Sequence, residues 1–134
     1  TGEEAVFAPG SGGAGLHVAG AKVELAICAD ASHPEHAASA ARNGADVYAA
    51  GVLVTAQGYA EDAGLLERYA IEHKMAALMA NHSAPTGGWT PAGGSAVWSE
   101  TGQRVVAANG SEGGLVVAAR HNGHWRGWIV PVNP

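Results

Sequence analysis

The stretch from Lys22 to Val54 restricts this chain more than any other part of it. Lys22-Val-Glu-Leu-Ala-Ile-Cys28 is a mostly apolar run of strand length, the pattern of a strand buried on both faces. It stops at Ala29-Asp30. Ser32-His-Pro-Glu35 then fits a helix start, with Ser32 and Glu35 as a capping box and Pro34 in the first turn, where its missing N–H does little harm. The helix is expected to run through the alanine-rich stretch to about Asn43, with Gly44 as a natural residue to end it. Asp46 to Val54 is another apolar, strand-like run. Strand, helix and strand in this order make a βαβ-like unit.

The rest of the chain extends the pattern. Leu16 to Ala19 reads as a short strand and Gly20-Ala21 as a tight turn. Leu65, Leu66, Tyr69, Ala70 and His73 recur at helical spacing within a predicted helix from Ala60 to Lys74. Met75 to Ala80 is a third buried strand, and His82 to Gly94 is a Gly/Pro-rich loop. Short strands follow at Ser95 to Ser99, Arg104 to Ala108 and Leu115 to Ala119, with a turn at Thr101-Gly102. The tail from Trp125 to Pro134 reads as an extended arm or edge strand. The whole is an α/β chain of one domain, with too few elements to close a sheet on themselves. Charged residues make up 14% of its 134 residues, against roughly 25% in typical soluble domains. That deficit, with many Ala, Gly and Val residues, suggests elements covered on both faces or a surface meant for another piece of protein.

Composition excludes several functions. The formal net charge is −5 and the 7 Lys and Arg form no cluster, so nucleic-acid binding is not expected. No apolar run reaches the roughly 18 residues needed to span a bilayer. Thr1-Gly2-Glu3-Glu4 lacks the basic and apolar regions of a signal peptide and an initiator Met. The expectation is a processed chain, or numbering that begins inside a longer polypeptide. The 1 cysteine cannot form an internal disulfide, which fits a cytoplasmic location.

That cysteine, Cys28, ends a strand just before a capped helix. Such a position lifts a side chain out of the sheet and sets it near a helix N-terminus, whose dipole and free N–H groups favour a thiolate. The surrounding residues, Lys22 to Asp30 followed by Pro34-Glu35, resemble the nucleophile segment of the carbon–nitrogen hydrolases of the nitrilase superfamily. There an apolar strand ends in Ile-Cys-x-Asp and a Pro-Glu pair opens the next helix. Other pieces follow in the family's order. Glu3-Glu-Ala-Val-Phe-Ala-Pro-Gly10 resembles the loop before the nucleophile strand, and Gly44-Ala-Asp46 the opening of the next strand. Arg68-Tyr-Ala70, Glu72 and Asn81 resemble an Arg-Ala-x-Glu-Asn…Asn stretch, with His73 in place of the common Asn. Gly94-Ser95 and Thr101-Gly102 match a Gly-Ser strand and the turn after it.

The resemblance implies half of an α-β-β-α sandwich, the C-terminal segment of one hydrolase domain over residues 1–134, with no cofactor. It implies a Cys-Glu-Lys triad helped by a second Glu, acting through a thioester acyl-enzyme. Cys28 takes the nucleophile's place, the N–H groups of Ala29 or Asp30 face the oxyanion, and Glu3 matches the auxiliary glutamate, with Glu4 as the neighbouring alternative. The base Glu and the Lys fall in segments before residue 1, and neither Lys22 nor Lys74 lies in the family's Lys motif. The isolated chain is therefore expected to be inactive. Ala29-Asp30 after the cysteine favours an amide or N-carbamoyl substrate over a nitrile. The implied partners are that small molecule, the chain's own N-terminal half and a second copy in a homo-oligomer. A non-catalytic fragment serving binding or assembly is the alternative.

Other signals carry less. His33/His36 and His121/His124 are each three apart, yet nothing completes a ligand set, so no metal is expected. The first pair reads as polar residues of an exposed helix end and the second as loop residues. Trp89, Trp98, Trp125 and Trp128 read as core or interface. Gly10-Ser-Gly-Gly13 lacks the Lys-Ser/Thr of a phosphate loop.

Overall fold

The computed structural model describes residues 2–8, 10, 15–110 and 114–132. The Gly10–Gly13 segment lies mostly outside them. Six strands form one sheet in the order of the chain: β1 (Leu16–Val18), β2 (Ala21–Ile27), β3 (Val47–Val52), β4 (Ala76–Asn81), β5 (Ala96–Trp98) and β6 (Arg104–Ala107). The central pairs β2–β3 and β3–β4 are parallel, and the others are antiparallel. Two helices make the parallel crossovers, α1 (Pro34–Arg42) between β2 and β3 and α2 (Tyr59–His73) between β3 and β4. A separate hairpin, β7 (Gly114–His121) with β8 (His124–Pro131), completes the described chain. The expected α/β layering is present. No helix is long and apolar enough to cross a membrane.

Both helices pack on one face of the sheet. Ala26 of β2, Tyr48 and Ala50 of β3, and Ala77 and Met79 of β4 meet Ala37 and Ala40 of α1 and Leu66, Tyr69 and Ala70 of α2. Alanine at so many contact positions lets the helices lie close to the strands. The larger side chains Tyr48, Leu66 and Met79 fill the remaining space, each worth about 2 kcal/mol of transfer free energy. α1 ends as expected, with Asn43 as its last cap and Gly44 at φ +81°.

The opposite face corrects the reading of β2 as a strand buried on both sides. Glu24 and Ala26 are buried, but Leu25 is 49% and Ile27 67% exposed. Strand side chains alternate between faces, and among the described residues no layer covers this one. The capping box is a second correction. Ser32 belongs to a short 3-10 turn, Cys28–Ser32, so the residue capping α1 is His33, whose side chain makes no capping bond. The tail, read as an extended arm or edge strand, is the latter, since Trp125 to Pro131 pairs along its length with β7.

The hairpin docks on β6. Gly127 approaches so closely that a Cβ there would lie 2.5 Å from Val106 Cβ and 2.7 Å from the Val105 carbonyl oxygen. Trp125 Nε1 donates to Glu100 at 2.8 Å, and Arg120 pairs with the same carboxylate at 2.9 Å. These contacts hold the Glu100 carboxyl below its ordinary value, after the larger effect of a hydrogen bond from its own backbone. Trp98 is in the core, whereas Trp89 and Trp128 are largely exposed.

Candidate active site

Parallel pairing brings the carboxyl ends of β2, β3 and β4 to one edge, the usual position of binding sites in open α/β sheets. Ile27 pairs with Gly51, and Val52 with Asn81. Cys28 is the residue immediately after β2. It is exposed and adopts φ +48°, a left-handed conformation uncommon outside glycine. Strain of this kind costs about 1–3 kcal/mol and persists only where the surroundings over-determine it. Asp30 supplies part of that constraint. Its Oδ2 accepts the Ile27 N–H at 3.0 Å, and its carbonyl accepts the His33 N–H at 3.2 Å, so the turn closes around Cys28. The first amides of such a turn have no acceptor one turn back.

The thiol borders a cleft of about 270 Å³, walled by Ala31, Val52, Leu53, Leu65 and Met79. Two polar side chains, Ser32 and Asp62, also line it. Asp62 is a residue that sequence reading passed over. It is one of several acids of α2, and nothing local in the sequence separates it from Glu61. Burial raises the Asp62 carboxyl above its ordinary value, and neighbouring Glu61 adds to the effect.

Asn81, the last residue of β4, clamps the loops around the cleft. Its side-chain oxygen accepts Val54 N–H at 2.8 Å, while its amide donates to Val54 O at 3.0 Å and Gly93 O at 2.6 Å. Ser95 Oγ in turn accepts the Asn81 N–H at 2.9 Å. Sequence reading marked Asn81 and Ser95 only as family pieces, and their contacts give both a structural role.

Glu3 falls in a 3-10 turn, Gly2–Ala5, and the placement of its side chain and of Glu4's is outside the described structure. Lys22 is at the far end of β2, about 20 Å away along an extended strand. There its Nζ donates to Asn43 O at 2.7 Å and pairs with Glu24 at 3.3 Å. Lys74 ends α2, also away from the cleft. His36 is not a solvated helix-end residue, since its Nδ1 lies 2.8 Å from Tyr48 Oη. Burial pushes the Tyr48 phenol well above its ordinary value, so the hydroxyl in this pair stays protonated. His121 and His124 are strand partners flanking the Asn122-Gly123 turn, not loop residues. Among the described residues, no three His, Cys, Asp or Glu side chains are grouped to hold a metal ion.

The carbon–nitrogen hydrolase family model matches residues 2–130 of this sequence. The chain belongs to the carbon–nitrogen hydrolases. Among solved structures, an amidase from Nesterenkonia sp. AN1 is 30% identical to this hydrolase chain, with a TM-score of 0.70. That match covers 83% of this chain and 44% of the amidase, so the chain spans less than half the length of that relative. Structures of the amidase show Michael addition of acrylamide at its active-site cysteine and a complex with butyramide. The fold is shared with Saccharomyces cerevisiae Nit3, a member of branch 10 of the nitrilase superfamily, at 22% identity and a TM-score of 0.70 over 82% of this chain and 42% of that one. A carbon–nitrogen hydrolase from Helicobacter pylori G27 is similar at 21% identity and a TM-score of 0.71, over 83% of this chain and 44% of its own. No curated protein sequence matches the chain.

Proposed function

We propose that this chain is the nucleophile-bearing C-terminal segment of an amide hydrolase. The observation that carries the reading is Cys28, exposed and left-handed at the carboxyl edge of the parallel strands, in a chain of this family. The Cys28 Sγ attacks the amide carbonyl carbon, and the charge moves onto the oxygen, where the backbone amides of Ala29 and Asp30 stabilise it. The carbon–nitrogen bond then breaks, the nitrogen takes a proton, and ammonia or an amine leaves a thioester on Cys28. Water attacks that thioester, the thiol takes back its proton, and the carboxylic acid departs. Glu3 is the supporting carboxylate in this scheme.

The base Glu and the Lys come from the N-terminal half of the hydrolase, which covers the open face at Leu25 and Ile27 and completes the α-β-β-α sandwich. Two observations support this arrangement: the bare apolar face and the 44% share of the amidase that the chain matches. Exposed Leu115, Trp128 and Ile129 on the hairpin suit association of two copies. A reducing, cytoplasmic setting fits the free cysteine. Short aliphatic amides are the first substrates to test, because butyramide is bound by the similar amidase.

The experiment is to incubate the chain, with and without the N-terminal half, with butyramide and to measure ammonia. Turnover only in the combined sample is expected. Its absence there, with Cys28 intact and both pieces folded, would favour the alternative of a non-catalytic binding or assembly segment.

A further inference from the structure

Asp62 shares the cleft with Cys28 but has no part in the chemistry described above. It sits in the first turn of α2, and the walls around it are apolar side chains such as Val52, Leu53 and Leu65. Among the described residues the ion pairs are Lys22–Glu24 and Arg120–Glu100, so no cation of the chain balances it. Glu61, beside it, is exposed and gains the same helix-end attraction without entering the cleft. A carboxylate held among apolar groups next to a nucleophile is costly unless something cationic meets it there.

We propose that Asp62 selects the charge of what enters the Cys28 cleft, favouring amides that carry a basic nitrogen such as an ammonium or guanidinium group. The apolar walls would take the methylene chain of such an amide and Asp62 its charged end. An amide bearing a carboxylate would be repelled by the same group. This inference rests on Cys28 being the nucleophile, but its test does not depend on turnover.

The test compares the rates at which Cys28 reacts with two thiol reagents of similar size. One is the cationic trimethylammonium-ethyl methanethiosulfonate, and the other is the anionic sulfonatoethyl methanethiosulfonate. Each rate is divided by that of free 2-mercaptoethanol. A single carboxylate in the same cleft changes each rate about threefold in opposite senses, so the cation-to-anion ratio should be about tenfold above the free thiol. Asp62→Asn should remove most of that excess, leaving only what Asp30 beside Cys28 contributes, whereas Glu61→Gln should leave the ratio within about twofold. In the unmodified chain, added salt should lower the ratio, and this arm needs no variant to fold. A ratio equal to that of the free thiol, or one that survives Asp62→Asn, would overturn the proposal. Failure of the hydrolase reading shows separately, as no ammonia release from any amide while the charge ratio stands.

Discussion

Replacing Asn81 with alanine tests whether one buried amide holds the walls of the cleft. Asn81 and Val54 are each 8% exposed, and Gly93 is buried. In the Asn81→Ala variant, Val54 N–H and Gly93 O lose the partner that Asn81 gave them. Val54 O is spared, because the Ala92 N–H still reaches it at 2.8 Å. Two buried backbone groups left unsatisfied cost about 1–3 kcal/mol each, so a loss of ~3 kcal/mol is expected. For a chain of this size, that corresponds to a fall in Tm of about 10 °C. Urea unfolding followed by circular dichroism measures the free energy directly. Asn81→Asp should lose at least as much, since a carboxylate keeps the contact with Val54 N–H but faces two carbonyl oxygens. Cys28 should also alkylate at a changed rate in either variant, because Val54 is a wall of its cleft. A loss below about 1 kcal/mol for Asn81→Ala would refute the reasoning and mean that the loops hold by their own packing.

Three further outcomes follow from other contacts. Gly127→Ala should push the hairpin off β6, since the nearest atoms include the Val105 backbone and cannot simply rotate away; a cost of ~2 kcal/mol is expected in the same urea assay. Glu100 is held below its ordinary value, so its contribution to stability is full above pH 4.5 and fades as pH falls; Glu100→Gln should lower Tm at neutral pH and lose that effect in acid. Asp62 is raised above its ordinary 3.8, so the folded state binds the proton more tightly and stability falls as pH rises through that range. Asp62→Asn should therefore raise Tm at neutral pH and have no effect well below pH 3.8, a gain given up when the charge is kept for the cleft.

Much of the parallel unit was legible in the sequence because its signals are local. The apolar runs, the helical spacing of Leu66, Tyr69 and Ala70, and Gly44 at a positive φ each depend on a few neighbouring residues. What the sequence hid depends on distant ones. An apolar run such as the one in β2 reads alike whether one or both faces are covered, so the exposure of Leu25 and Ile27 could not be seen. Ser32-x-x-Glu35 satisfies the pattern of a capping box, but the 3-10 turn that carries Cys28 uses Ser32 first. The link between His36 and Tyr48 joins an α1 residue to a β3 residue, and no spacing rule announces it. Of the site, Cys28 was legible from its place at a strand end and from its resemblance to the family. Asp62 was not, because only its place in the cleft shared with Cys28 separates it from the other acids of α2.

The most direct test of the central claim is ammonia release from butyramide by the chain combined with the N-terminal half, compared between Cys28 and Cys28→Ala at matched circular dichroism. Turnover that requires Cys28 is the predicted result. Turnover that persists in Cys28→Ala would contradict the account, because the amide bond would then be broken by some other group.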